Sequence, residues 1–403
     1  MACVSCPLGG ACAGLVTWQN LGPLFGWWKV PKAERGDSTD KNNYTIFVKC
    51  VHPPACLGAP NPALENEYFS TDDINSRTDL AMVGFNFTST TISTCATKLA
   101  FRNQSRLCHS CNSTSKRQGV ARCDLCPDRG LTIFLMILGC CITLAVIFFL
   151  VASAISDAGK IKLSDSIQKI VLNYLQVIAF AQAFPLRWPR FLEDLFEFQG
   201  AISTVGEHLL SPDCLSNGTA AELFYSKQIM FALSPLIIVT LSFVFWFTRG
   251  LCSGVSFFAK RKKENDTTLK DKFVLTICTV LYLLFPTLCT QAFEMFHCRK
   301  VAGVLYLAAD MEERCYIGRH AQWVFLGVVQ LLLYVIGLPI LVLLFLRRNK
   351  QMEDGGGLKK HATIVRYGLF YGAYKESTYY WEIVLTMRKV LVVALSVFGP
   401  GIG

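Results

Sequence analysis

The chain has 403 residues, of which 52% are hydrophobic and only 17% charged, with 39 Lys and Arg against 29 Asp and Glu for a net charge of +10. Soluble domains carry about 25% charged residues, so this balance excludes an ordinary soluble protein and points to one that lives in a membrane. The basic surplus then has to be distributed about a bilayer, and no nucleic-acid partner is expected.

The sequence opens MACVSCPLGGACAG, with Cys3, Cys6 and Cys12 where a signal peptide would place a charged start and an apolar run. The expectation is that the numbering begins inside a longer protein. Cys50, Cys56 and Cys95 follow in a polar stretch, where FNFTSTTIST from Phe85 has the β-branched and aromatic content of a strand. Then come Cys108-x2-Cys111 and, after eleven residues, Cys123-x2-Cys126-Pro127. Four thiolates at that spacing could close a zinc tetrahedron in a reducing compartment. Outside the cell the same cysteines form a disulfide framework, which is the favoured reading, with its connectivity left open. The ten cysteines and the sequons at Asn43, Asn86, Asn103 and Asn112 predict a small β- and loop-rich, disulfide-stapled, N-glycosylated domain over residues 1–128. Such a domain serves as a spacer above the membrane or as a binding module for a ligand or matrix.

Five apolar runs of membrane-crossing length follow, starting at Leu131, Ser166, Gln228, Lys272 and Gln322. Lys and Arg gather in alternate loops: Arg249, Lys260, Arg261, Lys262, Lys263 and Lys270 after the third run, and Arg347, Arg348, Lys350, Lys359, Lys360 and Arg366 after the fifth. The positive-inside rule makes both loops cytoplasmic, with Lys160 and Lys162 on the same side and the N-terminus outside, in a plasma, ciliary or other surface membrane. The basic run Lys260 to Lys263 would face anionic lipid, besides setting topology. Cys214 and the sequon at Asn217 lie in the second outer loop, and Cys298 and Cys315 in the third, which agrees with an oxidising side. A further sequon at Asn265 falls in a cytoplasmic loop and is discounted.

Polar groups interrupt the apolar runs. Asn173 and Gln176 are three apart, so they share a helix face and can hydrogen-bond to another helix. Pro235, Pro286 and Pro339 lie within spans, where each frees a carbonyl that its surroundings must satisfy. The outer loop from Arg187 alternates Phe191, Leu192, Leu195, Phe196 and Phe198 with Glu193, Asp194 and Glu197, the pattern of an amphipathic surface helix. Tyr367 to Glu382 holds five tyrosines and a tryptophan ahead of Arg388 and Lys389, and reads as an interfacial helix or elbow leading into a sixth span. Glu382 and Lys389 are seven apart, so separate partners on neighbouring helices are expected for them. From Val390 only fourteen residues remain, about 21 Å of helix, so the sixth span reads as cut short. No HExxH, GxSxG or P-loop is present, so neither an enzyme nor a cofactor beyond glycans and disulfides is expected.

Several of these motifs together resemble one family. Asn173-Tyr174-Leu175-Gln176, the loop from Trp188-Pro189 to Ser211-Pro212-Asp213-Cys214, Cys298 with Leu307-Ala308-Ala309-Asp310 and Cys315, and Tyr367-Gly368 to Trp381-Glu382 with Arg388-Lys389 look like the TRP-like C-terminal-domain membrane proteins of fungi, protists and algae. The resemblance covers roughly residues 105 to 399. It implies an α-helical multi-pass bundle distantly similar to transient receptor potential and polycystin channels, with cation or calcium permeation and a sensing ectodomain. Members of that family continue into further helices where a pore would form. The alternatives are an anchored structural or adhesion component of a surface assembly, with extracellular or membrane protein partners or further copies of itself, and lipid transport.

Overall fold

A computed structural model describes residues 5–12, 16–17, 19–34, 46–68, 94–118, 122–156, 167, 169–171, 173–174, 176–177, 214, 218–254, 266–351 and 357–399. The chain divides into two compact units. A cysteine-rich unit takes Met1–Thr132, Pro212–Phe224 and His297–Gln322, and a helical unit takes Ile133–Ser211, Tyr225–Phe296 and Trp323–Gly403. The cysteine-rich unit therefore draws on three separate stretches, whereas a boundary near residue 128 was expected from sequence.

In the cysteine-rich unit the strands are short and antiparallel. They pair as β1 (Gly10–Ala11) with β2 (Gly22–Pro23), β3 (Trp27–Lys29) with β4 (Phe47–Lys49), β5 (Cys56–Leu57) with β6 (Thr94–Cys95), and β7 (Ser115–Gln118) with β8 (Arg122–Leu125). One short helix, α1 (Pro62–Tyr68), lies between β5 and β6. A three-stranded meander follows much later, β9 (Cys298–Val301), β10 (Val304–Leu307) and β11 (Asp310–Arg314). Its Val301, Tyr306 and Met311 are buried in one cluster with Trp28, Val30 and Phe101, so this late segment completes the core of the N-terminal one. Gly9 adopts a φ of +83°, and a Cβ there would lie 2.3 Å from the Trp27 ring; only glycine fits that turn.

Among the described residues six disulfides staple this unit: Cys6–Cys12, Cys50–Cys56, Cys95–Cys108, Cys111–Cys123, Cys126–Cys214 and Cys298–Cys315. Strands of two to five residues bury too little apolar surface to hold themselves, and cross-links supply what the core lacks. The zinc alternative fails, because Cys111 and Cys123 are bonded to each other while Cys108 and Cys126 are bonded to Cys95 and Cys214. Cys3 lies outside the described residues.

Four helices are long and apolar enough to cross a membrane: Arg129–Ile155, Ala220–Ser253, Leu269–Glu294 and Arg319–Lys350, of 27, 34, 26 and 32 residues. They are named α2 (Arg129–Ser156), α3 (Ala220–Ser253), α4 (Leu269–Glu294), and a composite of α5 (Arg319–Gln330), a π-helical stretch Leu331–Gly337 and α6 (Leu338–Gln351). α7 (His361–Tyr371) and α8 (Trp381–Phe398) complete the helical unit. The expected count of five full spans plus a sixth thus becomes four among the described residues. Of the second run only scattered residues from Ile167 to Val177 are described, all helical, and α8 carries Glu382, Arg388 and Lys389 in its first half. The amphipathic segment from Arg187 lies outside the described residues, apart from Cys214 at its end.

Two of the three prolines are accommodated locally. Pro235 cannot donate to the Phe231 carbonyl one turn earlier, and the Ser234 hydroxyl donates to it instead at 2.9 Å. Pro339 lies two residues past the end of the π-helical stretch, whose wider turn leaves room for the proline ring. Pro286 lies inside α4. The helical core gathers Phe285, Cys289 and Ala292 of α4, Val335 of the π-stretch, and Val393 and Val397 of α8. By contrast Phe134, Ile137, Leu144 and Phe148 on α2 are exposed, as side chains facing hydrocarbon would be. Cys140, Cys141, Cys252, Cys278 and Cys289, all in these helices, carry free thiols.

Candidate functional site

Asn173 and Gln176 both reach across to other helices, as their shared face predicts. The Tyr282 hydroxyl on α4 lies 3.2 Å from Asn173 Oδ1 and 3.1 Å from Glu382 Oε1, and its single proton serves both acceptors. Tyr374 donates to Glu382 Oε2 at 2.8 Å, and Lys169 Nζ lies 3.6 Å from the same oxygen. Lys389 donates to Gln176 Oε1 at 2.7 Å and sits over the Tyr282 ring, 4.9 Å from its centre. Lys169 sits similarly over the Tyr374 ring at 5.0 Å.

Glu382, Lys389, Lys169 and Gln176 are all buried. An interfacial Glu382, the reading its aromatic approach favoured, gives way here to a carboxylate enclosed by two phenols and an ammonium, with 1% of its surface exposed. The turn between α7 and α8 makes the elbow that the tyrosines suggest, and it swings Tyr374 back onto the first turn of α8. Glu382 and Lys389 find separate partners, as their spacing of seven requires. Arg388, next to Lys389, points to the outside of α8.

Two further polar joints lie in the helical unit. Gln228 of α3 donates to the Gln291 carbonyl at 3.1 Å and to its side-chain oxygen at 3.3 Å, while Gln330 donates to the Gln228 carbonyl at 3.1 Å. Asp271, fully buried, closes a capping box with Thr268 at the start of α4 and accepts from Arg366 Nε of α7 at 2.6 Å. None of these was singled out from sequence. Thr268-x-x-Asp271 is a readable helix-start pattern; the glutamines sit in runs whose apolar neighbours conceal them.

In the cysteine-rich unit Arg106 is a hub. It pairs with Glu34 at 2.5 Å and Glu312 at 3.3 Å, donates to the Met311 carbonyl at 2.8 Å, and lies 4.1 Å from the centre of the Tyr306 ring. Asp310, the last residue of the Leu-Ala-Ala-Asp motif, accepts from the backbone N–H of Ala221 at 3.0 Å and so caps α3. Thr219 and Glu222 form a reciprocal capping box at the same helix end. His109 is buried against Arg117, with ring-to-guanidinium nitrogen separations of 2.6 and 2.7 Å; Arg117 also donates to the His109 carbonyl. Burial first, then the nearby Arg117, Arg299 and His297 cations, hold its imidazole well below the usual histidine range. Burial brings the Arg117 guanidinium down to about 10, against the pull of Asp310.

Among the described residues Cys298, Cys315 and His320 bring potential metal-ligand atoms within 4.8 Å of one another. The two sulfurs are bonded to each other and His320 Nδ1 accepts from the Tyr316 N–H at 3.0 Å, so the set is a disulfide beside a buried histidine. Of the sequons, Asn103 and Asn112 are exposed in turns, each side-chain oxygen accepting from the next backbone N–H. Asn43, Asn86, Asn217 and the basic run Lys260, Arg261, Lys262 and Lys263 lie outside the described residues.

These observations define a class: a mostly helical chain with four membrane-length apolar helices, consistent with an integral membrane protein, that carries a disulfide-bonded unit. The chain is similar to Cysteine repeat modular protein A of Toxoplasma gondii, 25% identical over 127 residues, which is 29% of this chain and 4% of that protein. It thus spans a small part of that relative's length. No family model and no solved structure matches.

Proposed function

We propose that the chain is a TRP- or polycystin-like membrane protein, a cation channel or channel subunit of the calcium-permeable kind, with five spans and the start of a sixth. In this reading the N-terminus is outside, the cysteine-rich unit is an N-glycosylated sensor, and the helical unit is a sensor-like bundle that works with a pore, in one chain or an assembly of several. One observation carries it: the polar set Glu382, Lys169, Lys389, Gln176, Asn173 and Tyr282, all buried except the half-buried Asn173 and drawn from three separate helical segments. Ionisable side chains are costly among membrane helices and are retained mostly where they serve ion pathways, relays or moving contacts. Lys169 pairs with this carboxylate, and Lys389 lies within its field while bonding Gln176, an arrangement suited to a contact that re-pairs when helices shift.

The test is cation flux from the full-length protein in a planar bilayer, across voltage, stretch and calcium gradients. Currents that Glu382→Gln alters support the reading; silence with protein demonstrably incorporated overturns it. A second reading, an anchored structural component of a surface assembly, draws support from the dense disulfides and from the likeness to a cysteine repeat protein. Stoichiometric extracellular partners in preparations from native membranes would favour it.

A further inference from the structure

A cavity of about 480 Å³ opens on the side of the helical unit. Its polar wall is made by Lys169, Asn173, Tyr374 and Arg388, and its apolar wall includes Val177 and Leu385. Glu382, the nearby carboxylate, is turned toward Tyr282, Tyr374 and Lys169, while Lys389 lies behind and is close enough to both Arg388 and Lys169 to be repelled by them. Lys169 and Arg388 thus stand on the cavity wall, with Lys389 close to both.

Arg388 is the cation of this wall that faces outward. α8 exposes Trp381, Val384, Leu391 and Leu395, a stripe at helical spacing of the kind that faces acyl chains. Arg388 is exposed on that same stripe, between Val384 and Leu391. A guanidinium among lipid-facing apolar residues is costly unless an anion meets it, and its planar donor fork matches phosphate oxygens. Lys169 offers a second, more deeply set cation across the same cavity.

We propose that this cavity binds one anionic phospholipid, its phosphoryl oxygens between Arg388 and Lys169 and an acyl chain along Val177 and Leu385. The wall's chemistry separates this occupant from a zwitterionic lipid, whose own ammonium would meet two cations, and from free phosphate, which would leave the apolar wall empty. The site requires no ion conduction and stands whether or not the bundle forms a channel.

The experiment is native mass spectrometry of the full chain in detergent, titrated with phosphatidylglycerol or with phosphatidylcholine of identical chains. Binding of phosphatidylglycerol roughly tenfold tighter is expected, in keeping with a charge-assisted contact, and Arg388→Gln should abolish that preference. Arg388 is exposed, so its removal leaves the packing of α8 intact. Arg348→Gln, which removes an exposed cation from α6, should leave the preference unchanged. Lys169→Gln should weaken it as well, but that variant also removes a partner of Glu382 and is read only alongside Arg388→Gln. Equal affinity for the two lipids, an effect of Arg348→Gln as large as that of Arg388→Gln, or displacement of the lipid by millimolar inorganic phosphate would each overturn the proposal.

Discussion

Tyr282 and Glu382, 100 residues apart in sequence, lie in hydrogen-bond contact at 3.1 Å inside the helical unit. Glu382 also accepts from Tyr374 and pairs with Lys169, so its replacement by an apolar residue would strand two phenols and an ammonium. Glu382→Leu should cost about 3–5 kcal/mol, the penalty of breaking a buried pair from one side. Glu382→Gln keeps an acceptor for the phenols and should lose about 1–2 kcal/mol. Thermal unfolding in detergent would rank the two variants, and equal losses would show that the carboxylate is not the organising group.

Asp310 caps α3 from a strand nearly ninety residues away in sequence. Its removal leaves the Ala221 N–H buried without its acceptor and takes a negative charge from a helix N-terminus. Asp310→Ala should destabilise the cysteine-rich unit by about 1–2 kcal/mol, and Asp310→Asn by less, because it retains the acceptor. Hydrogen exchange at residues 220–224 is the direct measurement; protection unchanged in Asp310→Ala would refute the role.

Arg106 holds Glu34, Glu312, the Met311 carbonyl and the Tyr306 ring at once. Arg106→Met preserves much of the side-chain volume and removes every polar contact. It should loosen β9 to β11 from the N-terminal strands, seen as faster proteolysis between His297 and Arg319 with the disulfides intact. Arg106→Lys should recover only part of the loss, since an ammonium lacks the planar fork.

Acidification should weaken the cysteine-rich unit. His109 and His297 are both held below the ordinary histidine value, by burial first and then by neighbouring cations. In the unfolded chain they would protonate near 6.5. The unfolded state therefore binds more protons as pH falls below about 6.5, and stability declines toward the lower folded values by at most about 1.4 kcal/mol per pH unit for each histidine. Unfolding of this unit compared at neutral and mildly acid pH tests the sign. His297→Gln should flatten the acid limb, and an unaltered limb would rule out this histidine as a source.

Gly327 meets the side chains of Met295 and Phe296, and a Cβ there would lie 2.6 Å from Met295 Cγ. Close helix approach in membranes depends on such small residues. Gly327→Leu should disrupt packing at the C-terminal end of α4 by roughly 1–3 kcal/mol, with Gly327→Ala milder. Retention of wild-type thermal stability in Gly327→Leu would show that this contact is slack.

Periodicity and composition made the membrane helices legible, because a run of about twenty apolar residues has few other fates. The shared face of Asn173 and Gln176 was readable for the same reason: helical spacing alone puts residues three apart side by side. The cysteines announced a stapled unit but not its pairing. Nothing in the local sequence tells Cys126 to seek Cys214, 88 residues on, across intervening apolar segments.

What the sequence by itself determined is the set of local propensities: helices of membrane length, a cysteine-rich N-terminal stretch, basic loops and an aromatic elbow before α8. Only the tertiary structure decided that residues 297–322 complete the core of the N-terminal strands, that Asp310 caps α3, and that Glu382 is enclosed by Tyr282, Tyr374 and Lys169. The physical reason is that burial belongs to a residue's surroundings. A carboxylate in the first turn of a helix reads as an interfacial charge until the groups that enclose it are known, and two of those, Tyr282 and Lys169, lie on distant segments of the chain.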